Sequence, residues 1–341
     1  MNLRVERFAG RPEEWDDFVR GSPDWTHFHL VGWRSVIESV LGHECIYLAA
    51  RDAESRLTGV LPLVRVKSVL FGHYLVSVPF LNYGGPLGTG DAVEQLVAHA
   101  VGLAREGHVD LLELRSRQPL QVDLSVSHRK ITVLLDLPSD PDRLWRALPS
   151  NVRRKVRRPQ KDALAMRFGL DQVAAFFEVF SRHMRDLGTP TLPLHLFERL
   201  AETFPHDIRF GCAYHGARPV AGACGFRWGT EFEMTWVSAL RAYHRIYANM
   251  FLYWAFMERA VAEGVRVFNF GRCTPGSGTH QFKLQWGSRD QPLWWYGHSG
   301  GRRSATPSPD ERGFAWGPAL WKHLPVPLAT AIGPRIVRYI P

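Results

Sequence analysis

Lys283 lies between Phe282 and Leu284 near the end of Phe268–Gly287, FNFGRCTPGSGTHQFKLQWG. An apolar strand runs into Gly271. A loop rich in Gly, Ser and Thr follows, opened by Arg272 and ending at that single lysine. A loop that begins where a strand ends and closes on one cation in apolar company suits a pocket for a negatively charged group. Lys283 is therefore the first candidate for chemistry, with Phe282 as its apolar neighbour. The competing reading is a lysine at a strand start that snorkels to water.

Three further groups carry chemical potential. Arg153, Arg154, Lys155, Arg157, Arg158 and Lys161 form the densest basic run. On a helix Arg154, Arg157, Arg158 and Lys161 share one face and Arg153 points elsewhere. Such a stripe suits the phosphates of a tRNA, a nucleotide-linked substrate or a lipid pyrophosphate, and equally a plain solvated face. Pro159 should break or kink that helix near Arg158. In EFEMTWVSAL, strand parity puts Glu233 with Thr235, and Trp236 on the opposite face with Met234 and Ser238. Either face could line a cleft, and Trp236 suits core packing. Glu233 inside a central strand is harder to explain as core, which makes it a candidate acidic partner for an attacking amine. Asn82 and Tyr83 sit in the turn Asn82–Pro86, which reads as a tight turn or as a wall of an acceptor groove.

The elements that must position these residues repeat. Glu44–Lys67 reads as a hairpin with a polar turn at Asp52–Ser55, and Asp207–Trp228 has the same plan. Ala92–Glu106 has a helical apolar period, stops at Gly107 and leads into the strand Val109–Leu114. Asn249–Glu263 repeats this, stopping at Gly264 before the strand Val265–Phe270. Helical material opens each half, at Glu13–Arg20 and Trp33–Leu41, then at Asp140–Leu148 and Asp171–Leu187. The chain therefore reads as an internal duplication with its boundary near Pro138–Pro141.

Composition limits the function classes. The chain has 341 residues, 45% of them hydrophobic, and a net charge of +9, which favours polyanionic partners without choosing among them. The four cysteines are too scattered for a CxxC pair and read as reduced, mostly buried thiols. The fifteen histidines form no HExxH spacing; His27 and His29 alternate around Phe28 and could face one side, but no third ligand is visible, so no metal is expected. No GxSxG elbow or Walker loop supports a hydrolase or NTPase. The charged N-terminus lacks a signal-peptide core, and no apolar run reaches a membrane span, so a cytoplasmic location is expected, with peripheral contact at an inner membrane face as an option. The tail Phe314–Pro341 mixes aromatics, apolar residues and cations. It reads as packing on the body or lying on a membrane face, and its prolines exclude one long amphipathic helix.

Three stretches resemble the Fem family of peptidyltransferases, which are paired lobes related to the GNAT acetyltransferases: Leu148–Lys161 (LPSNVRRKVRRPQK), Asn249–Gly271, and Phe282–Lys283 followed by Gly287. VPFLNYGGPL and RCTPGSGTHQFK are similar to FemAB-like proteins associated with exosortase/PEP-CTERM and exopolysaccharide clusters. The resemblance implies an α/β (α+β) fold of two GNAT-like lobes, each a mixed, mainly antiparallel sheet flanked by helices. The expected division is residues 1–139, residues 140–300 and a C-terminal extension 301–341. It implies an acyltransferase that moves an aminoacyl or other acyl group to an amine or hydroxyl of a cell-envelope or exopolysaccharide precursor. The donor would be an aminoacyl-tRNA or acyl-CoA cosubstrate, with no bound cofactor, and the acceptor a phosphorylated or lipid-linked glycan. The matching lysine, Lys283, would lie near the acyl-transfer point, with Phe282 against the donor's adenosine end or shaping the tunnel, and Asn249 and Arg272 as further substrate contacts. Alternatives are a non-catalytic assembly factor that binds a phosphorylated lipid carrier, and an acetyl-CoA-dependent N-acetyltransferase. Against the last, Arg241–Asn249, RAYHRIYAN, lacks the glycines that let a GNAT backbone approach a pyrophosphate.

Overall fold

The computed structural model describes residues 3–68, 71–161, 163–300 and 316–340, with the side chains of residues 160, 161 and 316 outside the description. The chain divides into two compact units. Unit 1 comprises Met1–Lys130, Pro292–Ser308 and Arg338–Pro341; unit 2 comprises Ile131–Gln291 and Pro309–Val337. The change of unit falls at Lys130, ahead of the Pro138–Pro141 cluster, because the strand Ile131–Asp136 pairs with Val267–Cys273. In exchange, Trp294–Ser299 pairs with Leu111–Ser116 and joins the sheet of unit 1.

The sheet of unit 1 runs, strand by strand, Arg4–Arg7, Glu44–Arg51, Leu57–Ser68, Gly72–Val76, Leu111–Ser116, Trp294–Ser299 and Ser125–Ser127. All described pairings are antiparallel except one: Gly72–Val76 runs parallel to Leu111–Ser116. The helix Gly90–Glu106 covers one face, burying Ala92, Leu96, Val97, Ala100 and Ala104 against Ile46, Leu48, Leu61 and Leu63. That spacing is the helical period read from the sequence, and it places one apolar stripe on the alternating faces of the strands.

Unit 2 has the same plan. Its sheet runs Arg289–Pro292, Ile131–Asp136, Val267–Cys273, Glu231–Ala239, Arg218–Trp228, Ile208–His215 and Leu164–Phe168. Its single described parallel pairing is Glu231–Ala239 with Val267–Cys273. The helix Ala248–Ala262 lies in the core and buries Met250, Leu252, Tyr253, Trp254, Phe256 and Met257. A helix this apolar all round needs partners on most sides. The helices Pro141–Ala147, Ser150–Lys161 and Val173–Leu187 belong to the same unit.

Candidate functional site

In unit 2 the parallel strands stay together for only three residue pairs, Glu231–Val267, Phe232–Phe268 and Glu233–Asn269, and then diverge into a fork. A bulge helps to open it. The antiparallel register of Arg218–Trp228 and Glu231–Ala239 slips between Cys224–Trp236 and Phe226–Glu233, so two residues oppose Gly225. A Cβ on Gly225 would lie 2.1 Å from the carbonyl oxygen of Glu233, so only glycine fits there. The bulge also corrects the parity expected from sequence. Glu233 pairs with Phe226, and Trp236 sets its ring against Phe226 and Phe197, so Glu233 and Trp236 share a face. Trp236 does pack on aromatic neighbours, half-buried.

Beyond the fork the strand Val267–Cys273 has lost its parallel partner, and its polar groups are satisfied by side chains. Asn269, fully buried, accepts from Thr132 Oγ1 at 2.7 Å and from the backbone N–H of Gly271 at 2.8 Å. Its Nδ2 donates to Glu231 at 2.7 Å. Gly271 takes a φ of +72°, which glycine tolerates and other residues rarely do. The carbonyls of Gly271 and Arg272 accept from Lys283 Nζ at 2.6 and 3.0 Å.

Lys283 is not at a strand start and does not snorkel. It sits on the short helix Gly278–Leu284, whose N-cap Ser277 accepts from the His280 N–H, and its side chain is 3% exposed. Burial lowers its pKa to about 8, partly offset by Cys273 and by Glu233, which is wholly buried and close enough to act on it electrostatically. An ammonium has three N–H donors, and the two carbonyls take two of them among the described residues. Thr235 Oγ1 donates to Glu233 at 3.4 Å. The helix bearing Lys283 is fixed further by His280, buried, whose Nε2 hydrogen-bonds the Asp290 carboxylate at 2.9 Å. Phe282 packs half-buried on Tyr253, ring centroids 5.1 Å apart, which makes it part of the core wall. Arg272 is half-buried on the same strand.

The basic run forms the second part of the site. Ser150–Lys161 is one helix despite Pro159, which falls in its last turn, so only two helical residues follow the interruption. Val152, Val156 and Pro159 face the core. Ser150, Arg153, Arg154, Arg157 and Arg158 line a cleft of about 670 Å³ together with Tyr247. Arg153, expected to point elsewhere, therefore joins the others, as the positions i, i+3, i+4, i+7 and i+8 should. The side chain of Lys161 lies outside the described residues. Lys155 instead donates to Gln285 at 2.8 Å, and the Arg157 guanidinium stacks 5.0 Å over Trp145. Tyr247, with φ +57°, caps the N-terminus of Ala248–Ala262, and Asn249 is in its first turn. The cleft thus gathers four guanidiniums at the positive end of a helix, which favours phosphate. The strand Glu231–Ala239 leads from the fork through the turn Arg241–Ile246 to this helix, so fork and cleft are joined by one segment.

In unit 1, Tyr83 is buried and lines a cavity of about 150 Å³ with His29, Arg115, Ser116 and Arg117. Asn82 is buried next to it. His29 bonds Thr26 and the Gly85 carbonyl, and burial lowers its pKa to about 4, so it is neutral. His27 accepts from Trp33 Nε1. Among the described residues no group of three or more His, Cys, Asp or Glu could hold a metal. All four cysteines are free and buried.

Sequence reading missed Asn269, Thr132, Tyr247 and the His280–Asp290 pair. Asn269 had a signal: a lone amide in the apolar run VFNFG must find partners inside the core. Tyr247 had none, because a left-handed tyrosine is set by tertiary context.

Residues 149–284 match the family model described as an acetyltransferase (GNAT) domain. In structure the chain is similar to FemX, with a TM-score of 0.64 and 13% identity over 85% of this chain and 97% of that one. It is similar to L-PGS from Bacillus licheniformis, at 0.56 and 10% identity over 97% of each chain. A tandem GNAT protein from the clavulanic acid biosynthesis pathway gives 0.52 and 14% over 90% of this chain and 100% of that one. No curated protein matches in sequence. The fork, the bulged strand and the helix that follows it all lie within the residues that match the acetyltransferase (GNAT) domain model. The chain as a whole has the FemAB-like, tandem-GNAT fold.

Proposed function

We propose that the protein transfers an aminoacyl or other acyl group to an amine or hydroxyl of a cell-envelope or exopolysaccharide precursor, at the fork of unit 2. The observation that carries this reading is Lys283: a buried ammonium whose described partners are two backbone carbonyls, for three N–H donors. Attack by the acceptor's lone pair on the donor carbonyl moves the C=O electrons onto oxygen. The third N–H of Lys283 is suited to hold that oxyanion, in a site dry enough for one charge to matter. The intermediate collapses and the C–O or C–S bond to the donor breaks, which leaves an alkoxide or thiolate to take up a proton. Glu233 would accept the proton of the attacking amine and pass it to the leaving alkoxide or thiolate. No covalent enzyme intermediate is needed.

The arginine cleft at the N-terminus of Ala248–Ala262 is assigned to the phosphates of the donor or of a nucleotide- or lipid-linked acceptor. An aminoacyl-tRNA suits it better than acetyl-CoA. The turn Arg241–Ile246 has no glycine, and the bulky Tyr247 occupies the helix cap where a close backbone approach would be needed. Another similar structure is, by name, the C-terminal domain of a putative lysylphosphatidylglycerol synthetase from Agrobacterium fabrum, which is consistent with an aminoacyl donor. One observation favours a second reading, a non-catalytic factor that binds a phosphorylated lipid carrier: Lys283 also serves the fold by capping two strand carbonyls.

Mass spectrometry of envelope precursors from a deletion strain tests the proposal. Acylated species should disappear and return on complementation. An unchanged acylation profile overturns it.

A further inference from the structure

The described part of the C-terminal tail in unit 2 forms two helices, Trp316–Trp321 and Val326–Val337, packed on Val173–Leu187. The packing is close. A Cβ on Gly333 would lie 2.8 Å from the Thr191 nitrogen, and one on Gly188 would lie 2.5 Å from the Pro318 carbonyl oxygen. Arg185 donates to the Leu324 carbonyl at 2.9 Å. The inner face of Val326–Val337 is thus apolar, with Ala329 and Gly333 buried.

Its outer face is apolar as well. Pro327, Leu328, Ala331 and Ile332 are exposed, and Arg335 is the first charge the helix meets. Leu320 is 63% exposed, Leu328 45% and Ile332 36%, and Leu187 at the end of the supporting helix is 48% exposed. A surface helix ordinarily presents polar residues to water, so an apolar outer face marks a contact site. Charge indicates what covers it. Residues 316–340 contain no Asp or Glu, whereas Lys322, His323 and Arg335 are exposed around the apolar positions. Apolar residues among cations, with acids excluded, fit the interface of an anionic bilayer. A second copy fits poorly, since a two-fold contact would bring like charges together. Among the described residues no helix is long and apolar enough to cross a membrane, so the contact is with the surface.

We infer that the outer face of Val326–Val337, with Leu320, docks unit 2 on an anionic lipid surface. This stands on the exposed face alone and is independent of which acyl group is moved. The test is co-sedimentation of the full chain with vesicles of phosphatidylcholine alone or mixed with phosphatidylglycerol. Wild type should sediment with the anionic vesicles roughly tenfold better than with the neutral ones. The double variant Leu328→Asp/Ile332→Asp should lose about tenfold in partitioning. A second variant, Lys322→Glu/Arg335→Glu, alters only exposed charges, keeps the apolar face, and should also lose binding to anionic vesicles. Wild type remaining in the supernatant overturns the inference, as does unchanged binding by both folded variants. A wild-type dimer in light scattering that the Leu328→Asp/Ile332→Asp change dissolves, without vesicle binding, also overturns it in favour of self-association.

Discussion

The two units build the same parallel strand pair and close it differently. In unit 1 the pairs are Tyr74–Leu111, Leu75–Leu112 and Val76–Glu113; in unit 2 they are Glu231–Val267, Phe232–Phe268 and Glu233–Asn269. Two residues beyond the last pair stand Arg115 in one and Gly271 in the other. The Arg115 carbonyl accepts the backbone N–H groups of Gly84 and Gly85 at 3.1 and 2.9 Å, and Ser77 Oγ accepts from the Arg115 N–H at 2.8 Å. The loop Ser77–Gly85 thus stitches that fork shut with two backbone N–H groups and a hydroxyl. The Gly271 carbonyl instead accepts from the Lys283 ammonium, which among the described residues serves two acceptors with three donors. The repeat thus closes the same fork in two ways: with paired charges and loop backbone in unit 1, and with the Lys283 ammonium in unit 2.

The buried carboxylates make the same point. Glu113 is held by Arg115 at 2.8 Å and Arg129 at 2.9 Å, and both guanidiniums stack on Trp295, at 4.5 and 4.7 Å. That pairing is complete and structural. The largest effect expected from any single change is therefore on stability in unit 1. Arg115→Met leaves Glu113 buried against one remaining cation and should destabilise the fold by about 3 kcal/mol or more, read as a fall in denaturant midpoint. A loss below about 1 kcal/mol would show that the seal is not structural.

Next in size is the chemical effect in unit 2. Lys283→Ala should lower acyl transfer by about a hundredfold or more. Glu233→Gln should cost roughly tenfold to a hundredfold in turnover with less effect on KM, because proton transfer rather than binding is lost. A change in KM alone would assign Glu233 to binding.

The pH dependence follows from the Lys283 pKa of about 8. Activity that needs the ammonium should hold below that pH and fall as pH rises through it, and the falling limb should vanish in the residual activity of Lys283→Ala. For stability the sign is opposite. The folded pKa lies below the ordinary lysine value of 10.5, so folding disfavours the proton, and this group's contribution should improve as pH rises from about 8 toward 10.5. A flat activity profile across pH 8 would remove the ammonium from the reaction.

The smallest expected effect is in the cleft. Arg154→Gln with Arg158→Gln should weaken a phosphorylated ligand about tenfold and flatten the salt dependence of its binding, with no loss of fold, since both side chains are exposed. Unchanged affinity would return the stripe to a solvated face.

Much of this was legible in the chain. Apolar period and glycine stops marked Gly90–Glu106 and Ala248–Ala262 to within a residue or two, and the repeat of helix, stop and strand disclosed the tandem plan. Lys283, Glu233 and the arginine run stood out because each is a charge in an unusual setting. What could not be read depends on long-range pairing. The exchange of Ile131–Asp136 and Trp294–Ser299 between sheets has no local mark. The bulge at Gly225 turned Trp236 to the face of Glu233, because one extra residue reverses strand parity from there on. Lys283 was legible as a charge, but its burial under two carbonyls was not, since those carbonyls are exposed to it only by the divergence of the strands.

The most direct test of the contrast between a sealed and a charged fork is complementation of a deletion strain with Lys283→Ala, expressed at wild-type level and shown by near-ultraviolet circular dichroism to be folded. The account predicts acylated precursors at about a hundredth of the wild-type amount or less. Restoration to the wild-type amount would contradict it.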